Sequence, residues 1–124
     1  MNASQLARQA YAPTTFSLNA GRETEAQILS RITARLKQAD VLKEKDYPGF
    51  VAALHSNRRL WTLFATDVAG EDNALPPALR AQVFYLAEFT DLHTQRVLRE
   101  KRSIAPLIEI NTAVLRGLKA QAGG

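Results

Sequence analysis

Apolar residues recur every three or four positions along most of this chain, and this spacing strongly constrains its fold. After Asp46-Tyr47-Pro48 the apolar side chains follow one helical stripe: Phe50, Leu54, Trp61, Phe64 and Val68. Such spacing places side chains on one face of an α-helix. No segment alternates apolar and polar residues with a period of two, as a half-buried strand would. The sequence therefore predicts an all-α protein.

Proline, glycine and serine indicate where the helices begin and end. One helix can begin at Asp46-Tyr47-Pro48 and end at Gly70, because proline is tolerated in a first turn and glycine favours a helix end. Pro76-Pro77 opens the next helix and Ser103 caps the last one. Because the connections are short, we predict an antiparallel bundle of four principal helices. A short N-terminal helix over residues 2–11 precedes them.

The chain length and composition predict one domain over residues 1–124, with residues 1–20 loosely attached. Cysteine is absent, which excludes disulfides, thiolate zinc sites and cysteine nucleophiles. Neither His55 nor His93 has a partner at metal-ligand spacing. The carboxylates near Asp67 have no nucleophile or phosphate loop beside them and suit turn and capping roles. We therefore expect no enzyme activity, no cofactor and no metal.

The net charge of +4 and the pI near 9.8 raise the question of a nucleic-acid partner. The basic residues near the end of the helix that begins at Pro77 suit the negative end of its dipole. No RNA-recognition pattern accompanies them, which favours a solvated helix end over a contact with RNA. No segment approaches the roughly 20 apolar residues of a membrane span, and no secretory signal opens the chain. We expect a cytoplasmic protein.

Polar residues beside the single tryptophan are the least ordinary feature of the sequence. Asn57 lies in the same stripe as Leu54 and Trp61, where a buried amide either fixes the register of a bundle or lies at the edge of a groove. Arg58 can stack on an aromatic ring or pair with a carboxylate of another helix. The alternative interpretation is a polar network in the core that includes Asn57, Arg58 and Asp67.

Short motifs follow one another in a fixed order along nearly the whole chain. They are Tyr11, Arg22-Glu23-Thr-Glu25, Asn57-Arg-Arg-Leu60-Trp61, Asp67, Asn73-Ala-Leu-Pro76, Leu79-Arg-Ala-Gln82, Leu107-Ile-Glu109-Ile-Asn111 and Gly117-Leu118. In this order and spacing the set resembles the FlaF family of flagellar biosynthesis proteins of alphaproteobacteria, and the ordered set is more specific than any single motif.

The resemblance implies an accessory protein that binds flagellin in the cytoplasm as a secretion chaperone, in functional partnership with the translation regulator FlbT. The alternative is a post-transcriptional regulator that acts on flagellin messenger RNA, directly or through FlbT. For the chaperone we expect the last three helices to form an apolar groove for a terminal helix of flagellin. The sequence predicts no particular oligomeric state.

The residues expected to bind the partner differ in their roles. Trp61 and Phe64 would anchor the flagellin helix, with Phe84 and Phe89 on the facing helix. Arg58 and Asn111 would form a polar rim. If Trp61 belongs to the core, a more exposed flank that includes Tyr85 and Leu92 lines the groove. The full set is Asn57, Arg58, Trp61, Phe64, Asp67, Phe84, Tyr85, Phe89, Leu92 and Asn111.

Overall fold

The computed structural model describes residues 18–70, 72 and 75–123, with side-chain surroundings for 24–70, 72 and 75–118. This part of the chain contains four α-helices and no β-strand, which confirms the all-α prediction. The helices are α1 (Leu18–Val41), α2 (Tyr47–Ala69), α3 (Pro77–Glu100) and α4 (Ala105–Gly123). The predicted N-terminal helix over residues 2–11 lies outside the described residues.

Helix α2 begins where the sequence predicts because its first turn is capped. The carboxylate of Asp46 accepts a hydrogen bond of 2.9 Å from the backbone N–H of Gly49. Pro48 occupies the first turn, where an N–H would have no partner within the helix. The start of α2 is therefore fixed by local chemistry.

The C-terminal end of α2 is closed by a side chain from the next helix. The backbone N–H of Gly70 donates to the carbonyl oxygen of Asp67 at 3.1 Å. Arg80 of α3 then donates from Nε to the carbonyl of Val68 at 2.9 Å and from Nη2 to that of Gly70 at 3.0 Å. Carbonyls at a helix end lack intrahelical partners, so this guanidinium satisfies groups that would otherwise need water.

One backbone conformation and two local hydrogen bonds define the turn between α3 and α4. Lys101 follows α3 in the left-handed conformation, with φ of 57°, which ends the helix. The hydroxyl of Ser103 accepts a hydrogen bond of 3.0 Å from the backbone N–H of Ala105, as its predicted capping role requires. Nε2 of His93 lies 2.8 Å from the carbonyl oxygen of Ser103 and ties the turn to α3.

Packing between helices supports the predicted antiparallel arrangement. Arg58 of α2 pairs with Asp91 of α3, whereas Val68, further along α2, is bonded by Arg80, which lies earlier on α3. Helix α1 packs against both α2 and α4, and α2 packs against α3. Helices α3 and α4 share far fewer contacts than the other packed pairs, so the seam between them is the most open one.

The core consists of two apolar clusters with a polar layer between them. The first cluster contains Ala26, Leu29, Leu60, Trp61, Phe64, Val68, Leu75, Val83, Ala87 and Leu118. The second contains Leu36, Phe50, Ala53, Leu54, Val97, Ile104 and Leu107. Each helix contributes residues to both clusters, and between those residues it carries one or two buried polar side chains. These side chains form the polar layer: Thr33 of α1, Asn57 of α2, Thr90 and Thr94 of α3, and Asn111 of α4.

Candidate functional site

The two aromatic side chains expected to anchor a partner lie in the core. Trp61 is 1% exposed and Phe64 is 0% exposed. Their rings meet edge to face, with centroids 5.0 Å apart and an interplanar angle of 88°, a favourable arrangement for aromatic pairs. Anchoring roles at a groove surface do not fit this burial, whereas the core alternative for Trp61 does.

Asn111 joins three helices inside the polar layer. The indole Nε1 of Trp61 donates to Oδ1 of Asn111 at 2.9 Å. Nδ2 of Asn111 donates to Oδ1 of Asn57 at 2.8 Å and to Oγ1 of Thr33 at 3.1 Å. Thr33 in turn donates to the carbonyl oxygen of Leu29 at 2.7 Å. Both asparagines are fully buried, so the expected position of Asn111 on a rim is wrong.

The direction of these hydrogen bonds follows from the indole. Because Nε1 of Trp61 can only donate, Asn111 must present its oxygen to it and its amide nitrogen to Asn57. Asn57 must then present its own oxygen, and its Nδ2 is buried with no partner among the described residues. Of the two roles left open for Asn57, the structure supports the fixing of register, since a misaligned helix would leave these groups unpaired.

Arg58 lies at the surface and links α2 to α3. Its Nε donates to Oδ1 of Asp91, and Nε2 of Gln95 donates to Oδ2 of the same carboxylate at 3.2 Å. Of the two predicted partners for Arg58, the structure therefore selects a carboxylate of another helix over an aromatic ring.

Asp67 is buried near the end of α2.

The other predicted contact residues lie on α3, and most are exposed. Phe84 is 44% exposed, Tyr85 is 64% exposed and Leu92 is 48% exposed. Phe89 is partly buried and stacks on His93, with ring centroids 5.8 Å apart and an interplanar angle of 3°. The structure does not bring these side chains together with Trp61 and Phe64 on one surface, because α3 turns a different face to the core.

An apolar groove of about 440 Å³ lies between α3 and α4. It follows the open seam between these helices and rests on the first core cluster, against which Leu79, Leu86, Ile110 and Val114 pack. Its lining residues are Leu79, Gln82, Val83, Leu86, Glu109, Ile110, Ala113, Val114, Gly117 and Leu118.

The sequence predicted a groove among the last three helices but missed the residues that line it. Ala113 and Gly117 are four positions apart on α4, so these two small residues lie about one turn apart on the same helical face. A Cβ added at Gly117 would have no heavy atom within 4 Å, which shows how open this wall is. That pair of small residues was the signal that could have located the groove.

The comparisons with known proteins agree with the motifs. The family described as "Flagellar protein FlaF" matches the chain over residues 7–118. This chain belongs to the FlaF family. No curated protein and no solved structure matches it. The matched region includes all four helices through Leu118, and therefore both the polar layer and the groove.

Metal-ligand clusters and membrane-spanning helices are both absent from the described part of the chain. Among the described residues, no group of three or more His, Cys, Asp or Glu side chains could hold a metal ion. None of the described helices combines the length and the apolar character that crossing a membrane requires.

Proposed function

We propose that this FlaF-family chain is a non-enzymatic flagellar accessory protein that binds flagellin in the cytoplasm as a secretion chaperone. The groove between α3 and α4 would hold an amphipathic terminal helix of flagellin until export. Family membership supports a role in the flagellar system. The observation that carries the finer proposal is an apolar, open-sided groove bounded by two helices, which suits helix-in-groove recognition.

The shape and chemistry of the groove support a helix as occupant. Leu86, Ile110 and Val114 offer apolar side chains from both walls. Ala113 has only a methyl side chain and Gly117 has none, so the backbone of a bound helix can come close to α4, as close helix packing requires. A bound helix would cover apolar surface that otherwise faces water, which is the main source of affinity in such contacts.

Polar groups at the groove edge would orient the bound helix. Gln82 of α3 and Glu109 of α4 are the polar lining residues. In this proposal Trp61 and Asn57 act from beneath by holding the core in place, and they do not touch flagellin.

A charged side chain in the groove tests the proposal. Ala113 is exposed and lines the groove, so Ala113→Arg would place a long cationic side chain in the path of the helix without disturbing the core. Ala34→Arg on α1 is the matched control, because Ala34 is also exposed at mid-helix and lies outside the groove. We expect flagellin binding to weaken at least about tenfold for Ala113→Arg and to stay unchanged for Ala34→Arg. Equal affinities of the two variants would contradict the proposal.

A regulator that acts on flagellin messenger RNA is the second candidate. The observation that favours it is the net charge of +4, with Arg96 and Arg99 exposed near the end of α3. Such binding would depend on phosphate neutralisation and would weaken steeply with salt. Burial of an apolar helix in the groove would not.

A further inference from the structure

The side of α3 that faces away from the core carries a stripe of residues whose spacing is symmetric about its central residue, Leu92. We call it the outer stripe: Tyr85, Glu88, Leu92, Arg96 and Arg99. All five are exposed. Relative to Leu92 they stand at −7, −4, 0, +4 and +7, and these offsets bring residues to the same face of a helix.

The charges of the outer stripe have no partner among the residues of this chain that the structure describes. Within the described residues, none of Glu88, Arg96 and Arg99 takes part in an ion pair or a side-chain hydrogen bond. Glu88 and Arg96 are eight positions apart, about 12 Å along the axis, so they cannot reach each other within one helix. Two large apolar side chains, Tyr85 and Leu92, lie exposed among them.

We propose that the outer stripe is the contact surface for a second copy of this chain. When two α3 helices pack antiparallel about a two-fold axis at Leu92, a residue at +k on one helix faces the residue at −k on the other. Leu92 then meets Leu92 of the second copy. Glu88 meets the second copy's Arg96, and symmetry forms this ion pair twice.

The outermost pair of the stripe fits the same axis. Tyr85 at −7 faces the second copy's Arg99 at +7, where a guanidinium can stack on the phenol ring. Every charged member of the stripe therefore has a complementary group at the symmetric position. A helix face that only met water would not need this order.

The outer stripe and the groove lie on different sides of α3. The groove uses Leu79, Val83 and Leu86, which turn toward the core and α4. A dimer through the outer stripe would therefore leave each groove open, and this inference does not depend on what the groove binds. One stripe of a single helix buries little area, so we expect a weak dimer that forms at high protein concentration.

A charge exchange tests the pairing. We expect wild-type protein to show a rise in weight-average mass from monomer toward dimer in sedimentation experiments between about 10 µM and 1 mM, the range of weak interfaces. Glu88→Arg and Arg96→Glu should each weaken association about tenfold or more, because each replaces two attractions by two repulsions. The double variant should restore it, since the opposite charges then face each other again. A monomer at all concentrations, or a double variant as weak as the singles, would overturn the proposal.

The absence of native cysteine allows a second measurement. A residue on a two-fold axis faces its own copy, so Leu92→Cys should oxidise readily to a disulfide-linked dimer. Val41→Cys is the control, because Val41 is 80% exposed on α1 and lies off the stripe. Equal cross-linking of the two variants would contradict the axis. If Leu92→Lys lowers flagellin affinity while the wild type stays monomeric, the outer stripe belongs to flagellin and the proposal fails.

Discussion

At the centre of the core, the side-chain amide of Asn111 acts both as a hydrogen-bond acceptor and as a donor. Its oxygen accepts from Trp61, and its nitrogen donates to Asn57 and Thr33, so one side chain ties α4 to α1 and α2. The residue is fully buried, which makes each of these hydrogen bonds costly to lose. We infer that the polar layer selects one alignment of the helices.

Replacement of Asn111 by leucine should destabilise the protein. The variant leaves the Trp61 N–H and the Asn57 oxygen buried without a partner, and each such group costs about 1–3 kcal/mol. We expect the free energy of unfolding in urea to fall by about 2–4 kcal/mol. Gln38→Leu, an exposed change on α1, is the control and should change it by less than about 0.5 kcal/mol. An Asn111→Leu protein as stable as the wild type would contradict the role of the layer.

Trp61→Ala separates a core residue from a contact residue. Because Trp61 is 1% exposed, its truncation should cost about 3–5 kcal/mol and lower the thermal midpoint of the helical circular-dichroism signal. Tyr47→Ala removes an exposed aromatic from the same helix and should cost less than about 1 kcal/mol. If Trp61→Ala keeps the stability of the wild type but no longer binds flagellin, Trp61 is a contact residue and its assignment to the core is wrong.

At the start of α2, the capping carboxylate of Asp46 occupies the space that a side chain at position 49 would need. A Cβ added at Gly49 would lie 2.3 Å from Oδ2 of Asp46, the residue that caps the helix. Asp46→Ala should cost about 1 kcal/mol of stability through the lost cap. Gly49→Ala should be unfavourable in the wild type, because the new methyl group displaces the capping carboxylate.

In the Asp46→Ala background the sign of the Gly49→Ala change should reverse. Without the carboxylate, alanine has only its higher helix propensity over glycine, worth about 0.5–1 kcal/mol. A double-mutant cycle by chemical denaturation measures this coupling. If the two changes are simply additive, Asp46 does not hold the cap that the structure shows.

Helix boundaries were predictable because their signals are local. Asp46, Pro77 and Ser103 mark the starts of α2, α3 and α4 within one or two residues. The capping of α2 by Arg80 was not predictable, because it depends on where α3 returns along α2. Sequence signals therefore specify the elements better than the contacts between them.

The candidate site was predictable only in outline. Helical spacing placed Trp61 on an apolar face, but an apolar face does not tell a core from a groove, and the most prominent aromatic proved to be core. Asn111 could not be matched to Asn57 from sequence, since 54 positions separate them. The small residues Ala113 and Gly117 carried the local signal of the groove, and their meaning depends on α3 lying opposite.

At the scale of the whole fold, the four described helices form three well-packed seams and one open seam. The tight seams contain the polar layer and both apolar clusters, whereas the open seam between α3 and α4 forms the groove. The chaperone role that we propose would need this combination, because the scaffold must stay folded while the apolar groove is exposed to solvent. The outer stripe lies on a different side of α3 from the groove, so a dimer through the stripe would leave the groove accessible.

Titration of monomeric flagellin into this protein by calorimetry, at low and at high salt, tests the central claim most directly. We expect one-to-one binding that changes little with salt and disappears when the bound terminal helix of flagellin is deleted, since the contact buries apolar surface. The Ala113→Arg variant should abolish or greatly weaken the same signal. No binding of intact flagellin, or binding that collapses with salt, would contradict the account and favour a nucleic-acid partner.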